Sequence, residues 1–88
     1  MSLISKFDGN MNVINKLLKK YRIEKNMSYE TLSAKLELMG ISIHKQSLYD
    51  IENNKRTVKD YELFGLAYIL EIDVNDLLKD IKNIFEND

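Results

Sequence analysis

The sequence contains no cysteine, no proline and no tryptophan, and glycine occurs only three times in 88 residues. Without cysteine there is no disulfide, no thiolate nucleophile and no thiolate zinc site. Without proline, and with each glycine standing alone, the ends of helices have to be set by capping residues. These absences predict one small all-α domain whose interior is held together by packing.

Long apolar runs are also missing. The longest, FGLAYIL over residues 64–70, is far shorter than the roughly 18 to 20 residues that a membrane-spanning helix needs, and no signal sequence opens the chain. We therefore expect a soluble, cytoplasmic protein with no membrane partner. The opening Met1-Ser2-Leu3 could be a remnant of an expression vector rather than part of the fold.

Charge is distributed unevenly along the chain. The formal net charge is −1, but residues 16–59 carry ten lysines and arginines against five acids, whereas residues 60–88 carry two lysines against eight acids. Exposed charges are screened beyond about 8 Å at physiological salt, so a polyanion senses the nearby face of a protein more than its total charge. The overall acidity therefore argues only weakly against a nucleic-acid partner.

Apolar residues at three- and four-residue spacing predict a five-helix domain. The first helix spans about residues 12–25 and ends at Asn26. Ser28 caps the second helix, and Gly40 stops it by supplying a left-handed residue. The third helix spans about residues 45–53.

Asp60 is expected to cap the fourth helix, and Asp73 or Asn75 the fifth. Five residues of the fourth helix are available to the core: Leu63, Phe64, Ala67, Tyr68 and Leu70. The fifth helix carries an apolar stripe that continues past what a five-helix domain requires, formed by Leu77, Leu78, Ile81, Ile84 and Phe85.

The end of this stripe has two interpretations. In the first, Leu77, Ile81, Ile84 and Phe85 pack against their mates in a second protomer, and the homodimer places two third helices about 34 Å apart for a palindromic site. In the second, Phe85 folds back onto its own first helix, near Phe7. We favour the dimer.

The third predicted helix has the chemistry of a helix that reads DNA. At 100° per residue Leu48 and Ile51 point inward, while Gln46 and Tyr49 point outward with Asp50 and Asn53, and Lys45 lies at the edge of that face. Gln46 can pair bidentately with adenine, Lys45 can donate to guanine, and Tyr49 can contact a thymine methyl or a phosphate. Solvated helices display the same residue types, so these residues alone leave both interpretations open.

Three segments in the same order and spacing resemble the Cro/C1-type (Xre-like) helix-turn-helix family. They are INKLLKKYRIEKNMSYETLSAKL for the first two helices, QSLYDIENNKR for the recognition helix and the turn after it, and YELFGLAYILEIDVNDLL for the closing pair. The resemblance implies a compact lambda-repressor-like domain over residues 12–78. Residues 1–11 would then be an amino-terminal tail, and residues 79–88 an extension of the last helix that could serve dimerisation.

The resemblance also assigns roles to residues of this chain. Base-reading positions are matched by Lys45, Gln46, Tyr49 and Asp50. Positions where phosphate contacts are usual are matched by Tyr29, His44, Ser47, Asn54, Lys55 and Arg56. In this family a pair matched by Arg22 and Glu52 makes a buried or half-buried ion pair that locks the first helix to the third.

One departure from the family lies between Leu32 and Leu48, where about five extra residues occur. We therefore expect a second helix about one turn longer, followed by a long turn that Ile41 and Ile43 anchor in the core. His44 is a second departure, because a serine or threonine usually caps the recognition helix at that position.

These observations predict a sequence-specific double-stranded DNA-binding transcriptional regulator, a repressor, that inserts residues 45–53 into the major groove. The alternative is an antitoxin-like module that binds a partner protein and autoregulates its operon, which the acidic last third would suit if the partner were basic. Catalytic motifs are missing, and His44 has no second strong nitrogen or sulfur ligand. We therefore expect no enzymatic activity, no metal and no cofactor.

Overall fold

A computed structural model describes residues 9–86 of the protein. Within this range the chain forms six helices and no strand, which confirms the predicted all-α fold. The helices are α1 (Asn15–Glu24), α2 (Tyr29–Leu38), α3 (Lys45–Glu52), α4 (Asp60–Leu70), α5 (Val74–Leu77) and α6 (Lys79–Glu86). The described residues include no helix of the length and apolar character that crossing a membrane requires.

Local sequence signals set several helix ends as predicted. Asn26 and Gly40 follow α1 and α2 in left-handed conformations, with φ of 54° and 79°. The Ser28 Oγ caps α2 by accepting a hydrogen bond from the Thr31 N–H at 3.0 Å. Asp73 caps α5, since its Oδ1 accepts from the Asn75 N–H at 2.8 Å.

Other helix ends differ from the prediction. The first helix begins at Asn15 instead of Asn12, and the Asn12 side chain binds the Ile51 carbonyl instead. Lys59, not Asp60, occupies the cap position of α4, and the cap bond comes from Glu62, whose Oε1 accepts from the Lys59 N–H at 2.9 Å. The predicted fifth helix is divided at Leu78 into α5 and α6.

The core lies between the first five helices and the loop after α2. Its fully or nearly fully buried residues are Ile14, Leu18, Leu32, Leu36, Ile41, Ile43, Leu48, Ile51, Leu66, Ala67, Leu70 and Leu77. Ile41 and Ile43 are buried in it, as expected for the anchors of the long turn. A Cβ at position 65 would lie 2.5 Å from the Ile41 Cδ1, so a larger residue there would force the Ile41 side chain to shift.

Two aromatic residues expected in the core lie on the surface of α4. Phe64 is 56% exposed and Tyr68 is 65% exposed, and their rings stack on each other with centroids 5.9 Å apart. They share the outer face of the helix with Tyr61, which is 51% exposed. Leu66 is buried on the opposite side instead. The prediction was wrong for Phe64 and Tyr68 because α4 is apolar on nearly every face, which leaves no pattern to mark the inner one.

An ion pair between half-buried Arg56 and buried Glu62 joins α4 to the loop before it. The Arg56 Nη1 and Nη2 donate to the two carboxylate oxygens of Glu62 at 3.1 and 2.9 Å. Burial by itself raises the pKa of Glu62, but hydrogen bonds from Arg56 and from the Lys59 N–H outweigh it and hold that pKa below its ordinary value. The same bond to Glu62 raises the pKa of Arg56.

Replacing Glu62 with glutamine should remove part of the acid sensitivity of the fold. A carboxylate whose pKa is lower in the folded chain stabilises it above the unfolded-state pKa, and that contribution is lost as pH falls through the folded value. We expect Glu62→Gln to cost about 2 kcal/mol of unfolding free energy at pH 7, with a smaller difference from wild type below about pH 4. Thermal or urea unfolding between pH 3 and 7 measures this, with exposed Glu37→Gln as the control. A difference that stays constant with pH would contradict it.

Candidate nucleic-acid interface

Helix α3 is the second helix of a pair that packs closely together, and it presents one face to solvent. Leu48 and Ile51 are fully buried beneath it. On the other side Tyr49 is 42% exposed, and Lys45 and Gln46 are exposed on the first turn. The core therefore holds α3 through its buried side chains. The opposite face is left exposed, and its size and polarity suit a DNA major groove.

The four predicted base-reading residues lie together on this outward face. The Gln46 Nε2 donates to the Asp50 Oδ1 at 3.1 Å, so the acid orients the amide. The Lys45 Nζ lies 3.4 Å from the Glu30 Oε1, with both side chains mostly exposed. A surface pair of this kind contributes little energy, so Lys45 can leave it for another acceptor.

Tyr29 lies behind the outward face of α3. Its hydroxyl donates to the Glu52 Oε1 at 2.8 Å, and its ring meets the Tyr49 ring edge-on, with centroids 6.0 Å apart. Burial raises the pKa of the Tyr29 phenol, and the bond to Glu52 raises it further. The structure thus places Tyr29 as a support for Tyr49, and the predicted phosphate contact of Tyr29 stays a prediction.

Arg22 connects four elements of the domain through one guanidinium group. Its Nε and Nη2 donate to the two carboxylate oxygens of Glu52 at 2.7 and 3.2 Å, and its Nη1 donates to the Met27 carbonyl at 2.9 Å. The group also lies 4.1 Å from the centroid of the Tyr29 ring. The hydrogen bond to Glu52 raises the pKa of Arg22. Helix α1, the turn after it, α2 and α3 are therefore held to one another directly.

The amino end of α3 is open to an anion. His44 occupies the cap position, is exposed and makes no side-chain capping bond within the described residues. The first turn of α3 contains no acid, and Ser47 is half-buried there. Free backbone N–H groups and the helix dipole both favour an anion at such a position.

The loop after α3 contains the other three residues predicted to contact phosphates, and they differ in their exposure and in their bonding partners. Lys55 is exposed. Arg56 is engaged by Glu62, as described above. Asn54 adopts a left-handed conformation, with φ of 60°, and its amide binds the amino-terminal segment: Oδ1 accepts from the Met11 N–H at 2.7 Å and Nδ2 donates to the Gly9 carbonyl at 2.9 Å. Of the three, Lys55 is the residue best placed to meet a phosphate.

Sequence reasoning missed Asn12, which lies beside the same loop. Its Nδ2 donates to the carbonyl oxygens of Ile51 and Arg56, both at 2.9 Å, and its Oδ1 accepts from the Ile14 N–H at 3.1 Å. The sequence offered no signal for these bonds, because a polar residue just before an apolar stripe is also what a helix start looks like.

The four predicted dimerisation residues differ in their exposure to solvent. Leu77 is fully buried in the core of its own domain, so it is unavailable to a second protomer, and this part of the prediction is corrected. Ile81 is half-buried, whereas Ile84 is 39% and Phe85 is 59% exposed on α6. The alternative contact of Phe85 with Phe7 lies outside the described residues.

A shallow concavity of about 260 Å³ lies between the amino ends of α2 and α3, lined by Ser28, Tyr29, Glu30, Lys45, Gln46 and Tyr49. It is continuous with the outward face of α3, and the side chains around it include both hydrogen-bond donors and acceptors. Among residues 9–86, histidine and carboxylate side chains nowhere gather in a group of three or more that could hold a metal.

The family model described as helix-turn-helix matches residues 18–77, which is more than half of the chain. The match runs from α1 through α5 and includes the whole of α3. It confirms the resemblance drawn from the three sequence segments, and that family is one of DNA-binding regulators, generally without enzymatic activity. No curated protein and no solved structure matches the chain.

Proposed function

We propose that the chain, which belongs to the Cro/C1-type helix-turn-helix family, is a sequence-specific transcriptional regulator that inserts α3 into the major groove of double-stranded DNA. The observation that carries this proposal is the two-sided character of α3. Leu48 and Ile51 fix the helix to the core, while Lys45, Gln46 and Tyr49 share the solvent face. Base edges are read by side chains on such a face.

The side chains of α3 suit different parts of the DNA. Gln46, with its amide oriented by Asp50, can pair with adenine, while Lys45 can donate to guanine and Tyr49 can contact a thymine methyl group. Lys55 and the open amino end of α3 then contact phosphates on either side of the groove. In this arrangement phosphate contacts set the register and Gln46 carries the largest share of the discrimination between bases.

We also propose that the protein binds as a homodimer through α6 and acts as a repressor. The exposed Ile84 and Phe85 of α6 support an interface between two copies. Occupying a promoter is sufficient for repression, whereas activation requires a second contact with the transcription machinery. A dimer with two-fold symmetry would select a palindrome whose half-sites lie about one helical turn apart.

Gln46→Ala tests the assignment of the base-reading face. Duplexes selected by the wild-type protein from a random pool supply the site, and binding is measured on that site and on a scrambled duplex at one fixed salt concentration. We expect Gln46→Ala to lose about 1–3 kcal/mol on the selected site, with little change on scrambled DNA. Asn75→Ala removes an exposed amide from α5 and serves as the control.

Two outcomes of this experiment would contradict parts of the proposal. An equal loss on selected and scrambled DNA would remove Gln46 from base reading. A selected site without two-fold symmetry would remove the dimer, while leaving the major-groove assignment of α3 in place.

The outer face of α4 favours a second candidate function, a module that binds a protein partner. Tyr61, Phe64 and Tyr68 are each more than half exposed there, and aromatic side chains are enriched in protein interfaces. Exposed Asp60 and Glu71 lie at the two ends of the same helix and would suit a basic partner. This candidate corresponds to the antitoxin-like module, the alternative interpretation of the sequence. Failure of the wild-type protein to select any DNA would favour it over the regulator.

A further inference from the structure

Two asparagine side chains tie residues 9–12 to the end of α3 and the loop that follows it. We propose that this pair of side chains, Asn12 and Asn54, forms an amide clamp that fixes the direction of α3, and that Asn12 is a positioning residue for sequence recognition. The inference rests on the proposed DNA-binding function and adds to it a residue outside the helix-turn-helix pair.

The Asn12 half of the clamp connects three parts of the chain with one amide. Both of its N–H groups are used, one on Ile51 near the carboxyl end of α3 and one on Arg56, while its oxygen holds the start of α1 at Ile14. The last carbonyl groups of a helix lack partners within the helix. The Ile51 carbonyl accepts from the Asn54 N–H at 3.2 Å, and Asn12 supplies its second partner from a segment about 40 residues away in sequence.

In the other half of the clamp, the Asn54 side chain of the loop binds the backbone of the amino-terminal segment. Asn54 stands in the left-handed position that ends α3, where the Lys55 N–H donates back to the Asp50 carbonyl at 2.8 Å. Its side chain then holds the backbone of Gly9 and Met11. Each asparagine therefore binds backbone groups of the segment that holds the other, and the loop cannot move without breaking several hydrogen bonds together.

The clamp can control recognition because α3 is short. Eight residues make a rod about 12 Å long, so movement at its carboxyl end changes the direction of the whole helix. Hydrogen bonds from Gln46 to a base require donor–acceptor distances near 3 Å and good alignment. Attraction between lysines and phosphates tolerates such movement, because it is electrostatic and independent of sequence. Loosening the clamp should therefore weaken binding to the specific site far more than binding to other DNA.

The sharpest variant for testing the clamp is Asn12→Ser. A serine hydroxyl can still accept from the Ile14 N–H, but it is too short to reach the carbonyl groups of Ile51 and Arg56. Asn12→Ala is the second variant, in case the hydroxyl forms new bonds, and Asn75→Ala, which removes an exposed amide from α5, is the control. Each full-length variant is first shown by circular dichroism to be folded at the assay temperature.

Two measurements are made on each protein. One is the affinity for the duplex selected by the wild type and for its scrambled version. The other is amide hydrogen exchange at Lys55, compared with amides of α4. We expect Asn12→Ser to bind the selected duplex about tenfold more weakly, as partial loss of a base contact would. It should bind scrambled DNA as the wild type does, and exchange faster at Lys55 but not in α4.

Other results would overturn the inference in distinct ways. Wild-type affinity of Asn12→Ser for the selected duplex would show that Asn12 does not position α3. Equal weakening on both duplexes would show an effect on general binding or folding, not on direction. If the wild type selects no DNA, the proposed function fails first. In that case unchanged exchange at Lys55 would remove the clamp as well, and faster exchange would leave it as a structural feature without a role in recognition.

Discussion

Replacing Arg22 with methionine should cost about 3–5 kcal/mol of unfolding free energy, because it leaves a buried carboxylate without its main partner. The Glu52 side chain is only 1% exposed and would keep just the Tyr29 hydroxyl as a donor among the bonds described. The Met27 carbonyl would lose its bond as well. Urea unfolding of the full-length variant measures the loss, and many small domains have little more stability than this.

The control for this prediction is Lys19→Met, which removes the same charge from an exposed position of α1. We expect it to change the unfolding free energy by less than about 0.5 kcal/mol. The double variant Arg22→Met with Glu52→Met should recover part of the loss, because it removes the stranded charge together with its partner. If the two variants Arg22→Met and Lys19→Met have equal unfolding free energies, the ion pair does not hold α1 to α3.

Replacing Ile43 with alanine should have the next largest effect, about 2–4 kcal/mol, because it opens a cavity in the core where the long turn is anchored. Ile43 is 2% exposed, and its carbonyl accepts from the Ser33 Oγ at 2.6 Å. The neighbouring Ser42 is exposed, so Ser42→Ala is a control in the same turn. We expect Ser42→Ala to stay within about 0.5 kcal/mol of wild type. Similar unfolding free energies for the two variants would mean that the turn is held by other contacts.

Local rules predicted the parts of the fold that depend on neighbouring residues. Asn26, Ser28 and Gly40 end or begin helices because their backbone or side-chain preferences act within one turn. The inward direction of Leu48 and Ile51 follows from the helical period alone. Composition and spacing were therefore enough for the class of fold and for the outward face of α3.

Long-range contacts could not be predicted in the same way. The Arg22–Glu52 pair joins residues 30 positions apart and was suggested only by the resemblance to a family. The bonds of Asn12 span about 40 positions, and nothing near Asn12 in the sequence indicates them. The outward stack of Phe64 and Tyr68 was missed for another reason, because only the neighbours of α4 decide which of its apolar faces is covered.

The attachment of Gly9 and Met11 to Asn54 has a practical consequence for anyone producing this protein. A truncation that starts at α1, as the helical pattern alone would suggest, discards the backbone groups that Asn54 holds and the Asn12 side chain with them. A tag fused directly ahead of Gly9 would begin beside Asn54, next to Lys55, which is proposed to contact a DNA phosphate. Binding assays are therefore best performed with residues 9–12 intact and with any tag removed from that end.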